Sequence, residues 1–486
     1  MNLTTLTDEA RLAITTLGER AVDLVSPTVR LGVTGLARAG KTVFITALVH
    51  NLVHGGRLPV FRAYATGRVA GARLEPQPDD AVPRFDYEDH VRALVEERIW
   101  PDSTRRISEL RLAITYESAS FLRQRFGSGT LTLDIVDYPG EWLLDLPLMT
   151  KDYAAWSQEA IALARRPGRP AEAAAFMARA DAADPAAGAD ETLARELAAL
   201  FTAYLKACRA DGHALSTLPP GRFLMPGDLD GSPALTFCPL PGAVAEAPAG
   251  SLARMMARRY DAYKSVVVRP FFRDHFARLD RQIVLVDALS ALNAGPDAVV
   301  DLAAALTEIL GAYRPGTTSW LGGLLSRRID RILIGATKAD HLHHADHERL
   351  EHILGHLLAP AIRRAEAAGA AVHIAALASV RATREGVVSR GGERLPSIIG
   401  TPLAGESFGG EIFDGKTEIA FFPGDLPQDP ASVLGERALL SEEAAALRFM
   451  RFRPPALERT AEGVKLSLPH IRLDRVLDFL LGDRLA

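Results

Sequence analysis

The run Gly35-Leu36-Ala37-Arg38-Ala39-Gly40-Lys41-Thr42 has the residue types and spacing of a phosphate cradle. Its glycines let the backbone curl so that consecutive N–H groups, from Gly35 through Val43, face one anion. A helix starting near Lys41 brings its positive dipole end to the same point. Lys41 can then reach the β and γ phosphates of a nucleoside triphosphate, and the Thr42 hydroxyl can ligate Mg²⁺. Leu31 to Val33 reads as the strand ahead of the loop. Phe44, Ala47, Leu48 and Leu52 recur at helical spacing behind it, until Gly55-Gly56 stops the helix.

Such a cradle does not choose between ATP and GTP, or between a kinase, a transporter ATPase and a switch. Residues 131–137 (LTLDIVD) read as a buried strand ending in an acid, and Tyr138-Pro139-Gly140 completes D-x-x-G. In Ras-like proteins an aspartate at this place holds Mg²⁺ through water and the glycine N–H meets the γ phosphate, so Asp137 and Gly140 are the candidates. Thr337-Lys338-Ala339-Asp340 ends the apolar run 332–336. The Asp340 carboxylate can accept hydrogen bonds from N1–H and the exocyclic amine of guanine, a donor pair that adenine lacks. The Lys338 stem can cover the base plane and touch the phosphate loop. One helix and one strand later, Ala378-Ser379-Val380 follows the strand 372–377, where small residues with free N–H groups meet the guanine oxygen; Ser379 and Val380 are the choice there.

A switch threonine must lie between the first helix and the hairpin leading to Asp137. Residues 108–117 alternate like a half-buried strand, and the turn Phe126-Gly127-Ser128-Gly129 returns the chain into 131–137. Just ahead stands Trp100-Pro101-Asp102-Ser103-Thr104. Thr104 is placed to complete the Mg²⁺ shell in the triphosphate state, with Ser103 as its rival; an Asp-Ser-Thr run is also a common turn former.

Length and composition fit an intracellular enzyme or switch. With 486 residues, two or three domains are expected. The net charge of −4 argues against a nucleic-acid partner. Cys208 and Cys238 are too few for a disulfide framework, and neither a long apolar span nor a secretory leader is evident. The expected location is the cytoplasm. Residues 7 to 25 read as an amphipathic helix that packs on the domain, with a partner protein or the inner-membrane surface as the rival destination.

With these motifs in view, the chain resembles the YcjX-like P-loop GTPases of bacteria. GLARAGKT, WPDST with RRISELRL, DYPGEWLLDLP, VLVDALSALNAG, TKADH, ALASVRATRE and the closing PHIRLDRVLDFLLGD carry the resemblance, which runs over nearly the full length. It implies a Ras-like core with a helical insertion like that of heterotrimeric G-protein α subunits, binding of GTP or GDP with Mg²⁺, and a stress-linked role. Where Ras-like switches carry a glutamine that orients the attacking water, this chain has Glu141. A carboxylate there can accept a proton from water but repels the γ phosphate, so slow hydrolysis is expected. Arg38, Arg105 and Arg106 are the nearby arginines that could act in cis, although none stands three residues before Thr104.

The expected fold is α/β: a Ras-like P-loop NTPase core with a mostly parallel sheet, an inserted α-helical domain and a small β-rich C-terminal extension. Core strands are expected near 29–35, 108–117, 131–137, 282–287, 331–337 and 371–377. The core takes residues 29–55, 100–150 and 280–385. The N-terminal helix takes 1–28, a short insert 56–99, and the helical insert 151–279, broken at residues 165–170 and at Pro270. The extension and closing helix take 386–486, with Asp414-Gly415 as a hairpin turn between 411–413 and 417–422.

Three further patterns carry less. Gly405-Glu406-Ser407-Phe408-Gly409 matches G-x-S-x-G without the strand and helix of a hydrolase elbow. His341, His343, His344, His347, His352 and His356 read as a solvated face, with no acid ligand to anchor a metal. Residues 448–453 (RFMRFR) read as an edge strand with one apolar face. Two other functions compete with the guanine switch: an ATP-dependent P-loop enzyme in which Asp340 is incidental, and a nucleotide-stabilised interaction protein with negligible turnover.

Overall fold

The computed structural model describes residues 27–486 except 37, 78, 103, 105, 120–127, 170, 210–218, 243–245, 313–328, 391–392, 409, 434–447 and 458–466. The helix expected over 7–25, Ala37, Ser103, Arg105 and the first half of the turn 126–129 lie outside the described residues. The chain divides into two compact units, one of residues 1–138, 278–293 and 314–486, the other of 139–277 and 294–313.

The first unit is built on a seven-stranded sheet in the order β2-β3-β4-β1-β5-β6-β7. Its strands are β1 (Thr28–Gly35), β2 (Val69–Glu75), β3 (Ser108–Tyr116), β4 (Gly129–Asp137), β5 (Arg281–Val286), β6 (Arg331–Ala336) and β7 (Ala371–Ala376). β4, β1, β5, β6 and β7 run parallel, whereas β2 and β3 form an antiparallel margin. The expected core strands are all present, each within a residue or two of its expected bounds. β2 was not expected; it arises from the insert 56–99 and extends the sheet beyond β3.

Parallel strands covered on both faces need continuous apolar runs, and β5 is buried at every position. Leu31, Val33, Ile283, Leu285 and Leu333 pack with Phe44 and Leu48 of the helix Lys41–Val53. The same core takes Leu473, Val476, Leu477, Leu480 and Leu481 of the C-terminal helix Leu473–Leu481, so its apolar face docks on the core. Register then fixes the site. Val33 lies beside Asp137, Gly35 beside Leu285, Val286 beside Ala336, and Ala336 beside Ala376. The carboxyl ends of five parallel strands therefore share one edge, where ligands of open α/β sheets bind.

The extension carries a small sheet of β8 (Arg384–Arg390), β9 (Glu393–Gly400) and β12 (Ile419–Phe421), and a separate pair, β10 (Ser407–Phe408) with β11 (Glu411–Ile412). The hairpin expected about Asp414-Gly415 is not formed. β11 pairs backward with β10, turning at Gly410 with φ 86°, while β12 pairs with β9. Asp414 instead closes its own turn, accepting from the Lys416 and Thr417 N–H groups at 2.8 and 2.9 Å. Phe452 bridges to Pro402, with Met450 and Phe452 buried on one side. Ser407 sits in a strand with no helix behind it, unlike a hydrolase serine.

The second unit is helical. Tyr153–Ala164, Ala171–Asp181, Glu191–Cys208, Leu252–Tyr263 and Pro296–Ala312 are its longer helices. Asp152, Asp190 and Ser251 cap three of them by accepting from first-turn N–H groups. Trp156 stacks on Tyr260 at 5.1 Å, and Phe201 and Phe237 meet Trp156 edge-on. The expected break at 165–170 is present over its described residues, 165–169. The break assigned to Pro270 falls earlier, in a π turn at Lys264–Val268; Pro270 stands in the first turn of Arg269–Asp274, where its missing N–H costs nothing.

Asp145 is buried in this unit, accepting from Tyr263 Oη at 2.6 Å and from the Gly221 N–H at 2.7 Å. Burial outweighs both bonds and pushes its carboxyl up to about 6. The folded chain thus holds this proton to a higher pH than the unfolded chain. The stabilisation is complete below the unfolded value and is lost as pH rises through about 6, worth at most ~3 kcal/mol. Asp145→Asn should therefore flatten the fall in melting temperature between about pH 4 and about pH 7 relative to the parent. Thermal melts at the two pH values check this, and an unchanged slope would contradict it.

Candidate functional site

β1 delivers the chain into the phosphate loop. A Cβ on Gly35 would stand 2.6 Å from Leu285 O, so the close approach of β1 to β5 requires glycine. Gly40 takes φ 82° immediately before the helix, a left-handed conformation suited to glycine. Arg38 is also left-handed, at φ 63°, and is exposed, while Ala39 is buried. The first-turn N–H groups at Lys41, Thr42 and Val43 have no intrahelical acceptors. Lys41 is 7% exposed and its Nζ donates to Gly35 O at 2.9 Å, folded back over the loop.

Thr42, Thr104 and Asp137 come together. Thr104 Oγ1 donates to Asp137 Oδ2 at 2.6 Å, the Thr42 and Thr104 hydroxyls are 3.4 Å apart, and Thr42 Oγ1 donates to Asp102 O at 3.2 Å. Asp137 is buried, and its Oδ1 has no hydrogen-bond partner among the described residues. Burial pushes the carboxyl up to about 6, against the pull of Lys41 and the Thr104 hydroxyl. A buried carboxylate with an orphaned oxygen beside two hydroxyls is a hard oxygen donor set, which fits Mg²⁺. Beneath it, Gln282 Nε2 donates to Thr34 Oγ1 at 2.8 Å and Tyr138 Oη to Gln282 Oε1 at 3.4 Å, fixing the chain just past Asp137.

The base side stands at the ends of β6 and β7. Thr337 N and Oγ1 both donate to Val286 O, at 2.9 and 3.2 Å. Asp340 is 4% exposed; its Oδ2 accepts from the Ala382 N–H at 2.8 Å, and its backbone oxygen accepts from Thr383 Oγ1. The loop holding Ser379 and Val380, both buried, thus wraps around the Asp340 carboxylate. Lys338, at φ 62°, makes no hydrogen bond with the phosphate loop among the described residues. Its Nζ pairs with Asp287, directly after β5. Burial raises the Asp287 carboxyl, but Lys338 and Ser290 together bring it below its ordinary value. Asp287 was not singled out beforehand, although the acid that closes VLVD was its signal.

The closing segment is the larger omission. Ala378 and Ile471 exchange backbone hydrogen bonds at 3.1 and 2.8 Å, and Arg381 N donates to Pro469 O at 2.7 Å. Asn51, fully buried in the phosphate-loop helix, pairs with both backbone groups of Leu468, at 3.2 and 3.0 Å. One short segment therefore ties that helix to the base loop. Asn51→Ala would leave a buried N–H and C=O unpaired and should cost about 2–4 kcal/mol, measured by urea unfolding. A loss below about 0.5 kcal/mol would contradict the clamp.

Gly140 and Glu141 open the second unit, in a 3₁₀ stretch at Gly140–Thr150. Glu141 is buried, with Arg209 Nη1 3.9 Å from Oε1, and a Cβ on Gly221 would overlap the Glu141 carbonyl. Arg106 is exposed. The histidines are not one solvated face. His341 and His347 are buried, and His347 Nε2 lies 2.8 Å from Ala339 O, behind the base box. His343 and His344 do find an acid, Glu385, with ligand atoms within 4.8 Å, but Arg381 lies 3.6 Å from the same carboxylate.

Sheet order and the residues gathered at its edge place the chain in the Ras-like class of P-loop proteins. Residues 29–485 match the YcjX-like family, DUF463. The chain belongs to that family. It is 38% identical over 469 residues to the Escherichia coli protein named Ras-like GTPase YcjX, covering 94% of this chain and 96% of that protein. It is 35% identical over 480 residues to a Shewanella oneidensis protein of the same name, covering 94% of each. Among the described residues no helix is long and apolar enough to cross a membrane.

Proposed function

We propose that this protein binds GTP and GDP with Mg²⁺ and hydrolyses GTP slowly, as a molecular switch. The observation that carries the proposal is the meeting of Thr42, Thr104 and the buried Asp137 beside Lys41, on the sheet edge that also presents Asp340. The names of the relatives support a GTPase. Lys41 neutralises the β and γ phosphates, and the N–H groups of Arg38 to Val43 hold them. Asp340 reads the guanine N1–H and amine, with Ser379 and Val380 at its carbonyl. Thr42, Thr104 and Asp137 would hold Mg²⁺, which would supply charge neutralisation at the phosphates when bound. Water attacks the γ phosphorus, the bond to the β-phosphate oxygen breaks, and GDP and phosphate result.

Slow turnover follows from Glu141. In the sequence it takes the place of the glutamine that orients water in Ras-like switches, and it is paired with Arg209. That pairing also favours a second reading, a nucleotide-stabilised interaction protein without turnover. The stress link rests on the family resemblance, and a protein effector or membrane-associated partner belongs to the proposal as the target of the switch. Single-turnover phosphate release decides between the readings. GTP with Mg²⁺ should release phosphate at a rate on the order of 10⁻³ s⁻¹ or slower, and chelation should stop it. Tight GDP binding with no release over hours would favour the second reading, and faster release from ATP would contradict both.

A further inference from the structure

The chain just ahead of Thr104 is held by the β-rich extension. Trp100 Nε1 donates to Phe452 O at 2.6 Å, Arg98 Nε to Pro454 O at 3.0 Å and Arg453 Nε to Arg98 O at 3.4 Å. Arg98 takes φ 56°, which turns the strip sharply as it leaves the preceding helix. Between strip and extension lies a cleft of about 430 Å³ whose lining includes Arg98, Ile99, Trp100, Leu403, Lys416 and Arg453.

Its charges are unbalanced. Neither Arg98 nor Arg453 has a carboxylate partner among the described residues; both are anchored through backbone carbonyls, Arg453 Nη1 also to Gly415 O at 3.5 Å. Burial and the neighbouring Arg453 hold the Arg98 guanidinium below its ordinary value. Asp414, the acid in the lining, is occupied by its own turn and by Thr417 Oγ1 at 3.1 Å. Beside these cations Ile99 is 57% exposed. Two guanidiniums with open donors are stabilised by a carboxylate lying across them, and a bare isoleucine gains by being covered.

We propose that this cleft binds an acidic peptide segment of a partner protein, a carboxylate across Arg98 and Arg453 with an adjacent apolar side chain on Ile99 and Leu403. Trp100 is four residues from Thr104, whose hydroxyl bonds to Asp137, and the intervening Asp102 carbonyl accepts from Thr42. Occupation of the cleft therefore biases the strip that carries Thr104, and release of Mg–GDP responds. This coupling rests on the nucleotide reading above; the peptide site does not.

The test titrates the full-length protein by calorimetry with acetyl-Leu-Glu-Leu-Glu-amide, its Leu-Lys counterpart and inorganic phosphate. The acidic peptide should bind saturably, the basic one should not, and Arg453→Gln should weaken binding about tenfold or more. Because Arg453 also holds backbone, Ile99→Asp is the companion variant: an exposed site with an unchanged melting temperature and the same loss of peptide binding. Saturating peptide should change the Mg–GDP release rate about twofold or more. Absence of saturable acidic-peptide binding, binding untouched by Ile99→Asp, or phosphate competing as well as the peptide would overturn the proposal. Peptide binding as expected in a protein without guanine preference would sink the nucleotide reading alone.

Discussion

Lys41→Ala should weaken GDP and GTPγS binding by about 10²–10⁴-fold, the loss of two hydrogen bonds from a charged donor at about 1.5–3 kcal/mol each. The effect should exceed simple loss of contact, because Lys41 also pulls against the burial that raises Asp137. Without that ammonium the Asp137 carboxyl climbs further, and Mg²⁺ must compete with a proton nearer neutral pH. The variant should fold, since the side chain gives up one bond, to Gly35 O. Titration with a fluorescent GDP analogue, alongside a thermal melt, separates the outcomes. A folded variant that binds within about threefold of the parent would remove Lys41 from the phosphate site.

Asp340→Asn should lower GDP affinity by about 10²-fold while leaving the phosphate contacts intact. The Asp340 carboxylate already accepts the Ala382 N–H on Oδ2 and has lone pairs to spare for two guanine donors. An amide has one acceptor oxygen. If it keeps Ala382, its NH₂ faces the guanine donors; if it turns to the base, the loop of Ser379 and Val380 loses its tie. Xanthine carries a carbonyl where guanine has its amine, so xanthosine diphosphate should bind the variant better than GDP does. Competition binding of the two diphosphates checks this, and undiminished GDP preference would contradict the base assignment.

The candidate site was legible because each motif ends a strand whose hydrophobic run is plain: residues 31–33 before the phosphate loop, 131–137 before Tyr138, and 332–336 before Thr337 on the base side. Parallel register then forces such ends onto one edge, so placing the motifs on strands was enough to converge Lys41, Thr42 and Asp137. Thr104 was reachable from spacing, but its bond to Asp137 was not. The strand Val69–Glu75 was missed because VAGARLE has neither a continuous apolar run nor a clean alternation; as the sheet's margin it is only partly covered. The hairpin at Asp414-Gly415 was misplaced because an Asx turn and a hairpin turn use the same residues, and only long-range pairing with β9 separates them. The clamp from Leu468 to Ile471 left no local signal. It joins Leu468 to Asn51, 417 residues away, through the asparagine side chain, and Pro469 and Ile471 to Arg381 and Ala378 through backbone groups, for which side-chain type carries little information.

The most direct measurement is calorimetric titration of the protein, with Mg²⁺ present, by GDP, GTPγS, ADP and ATPγS. The proposed site predicts one saturable guanine nucleotide per chain, with adenine nucleotides weaker by about 10²-fold or more. Equal or tighter binding of ADP or ATPγS would contradict guanine recognition by Asp340 and with it the GTPase reading.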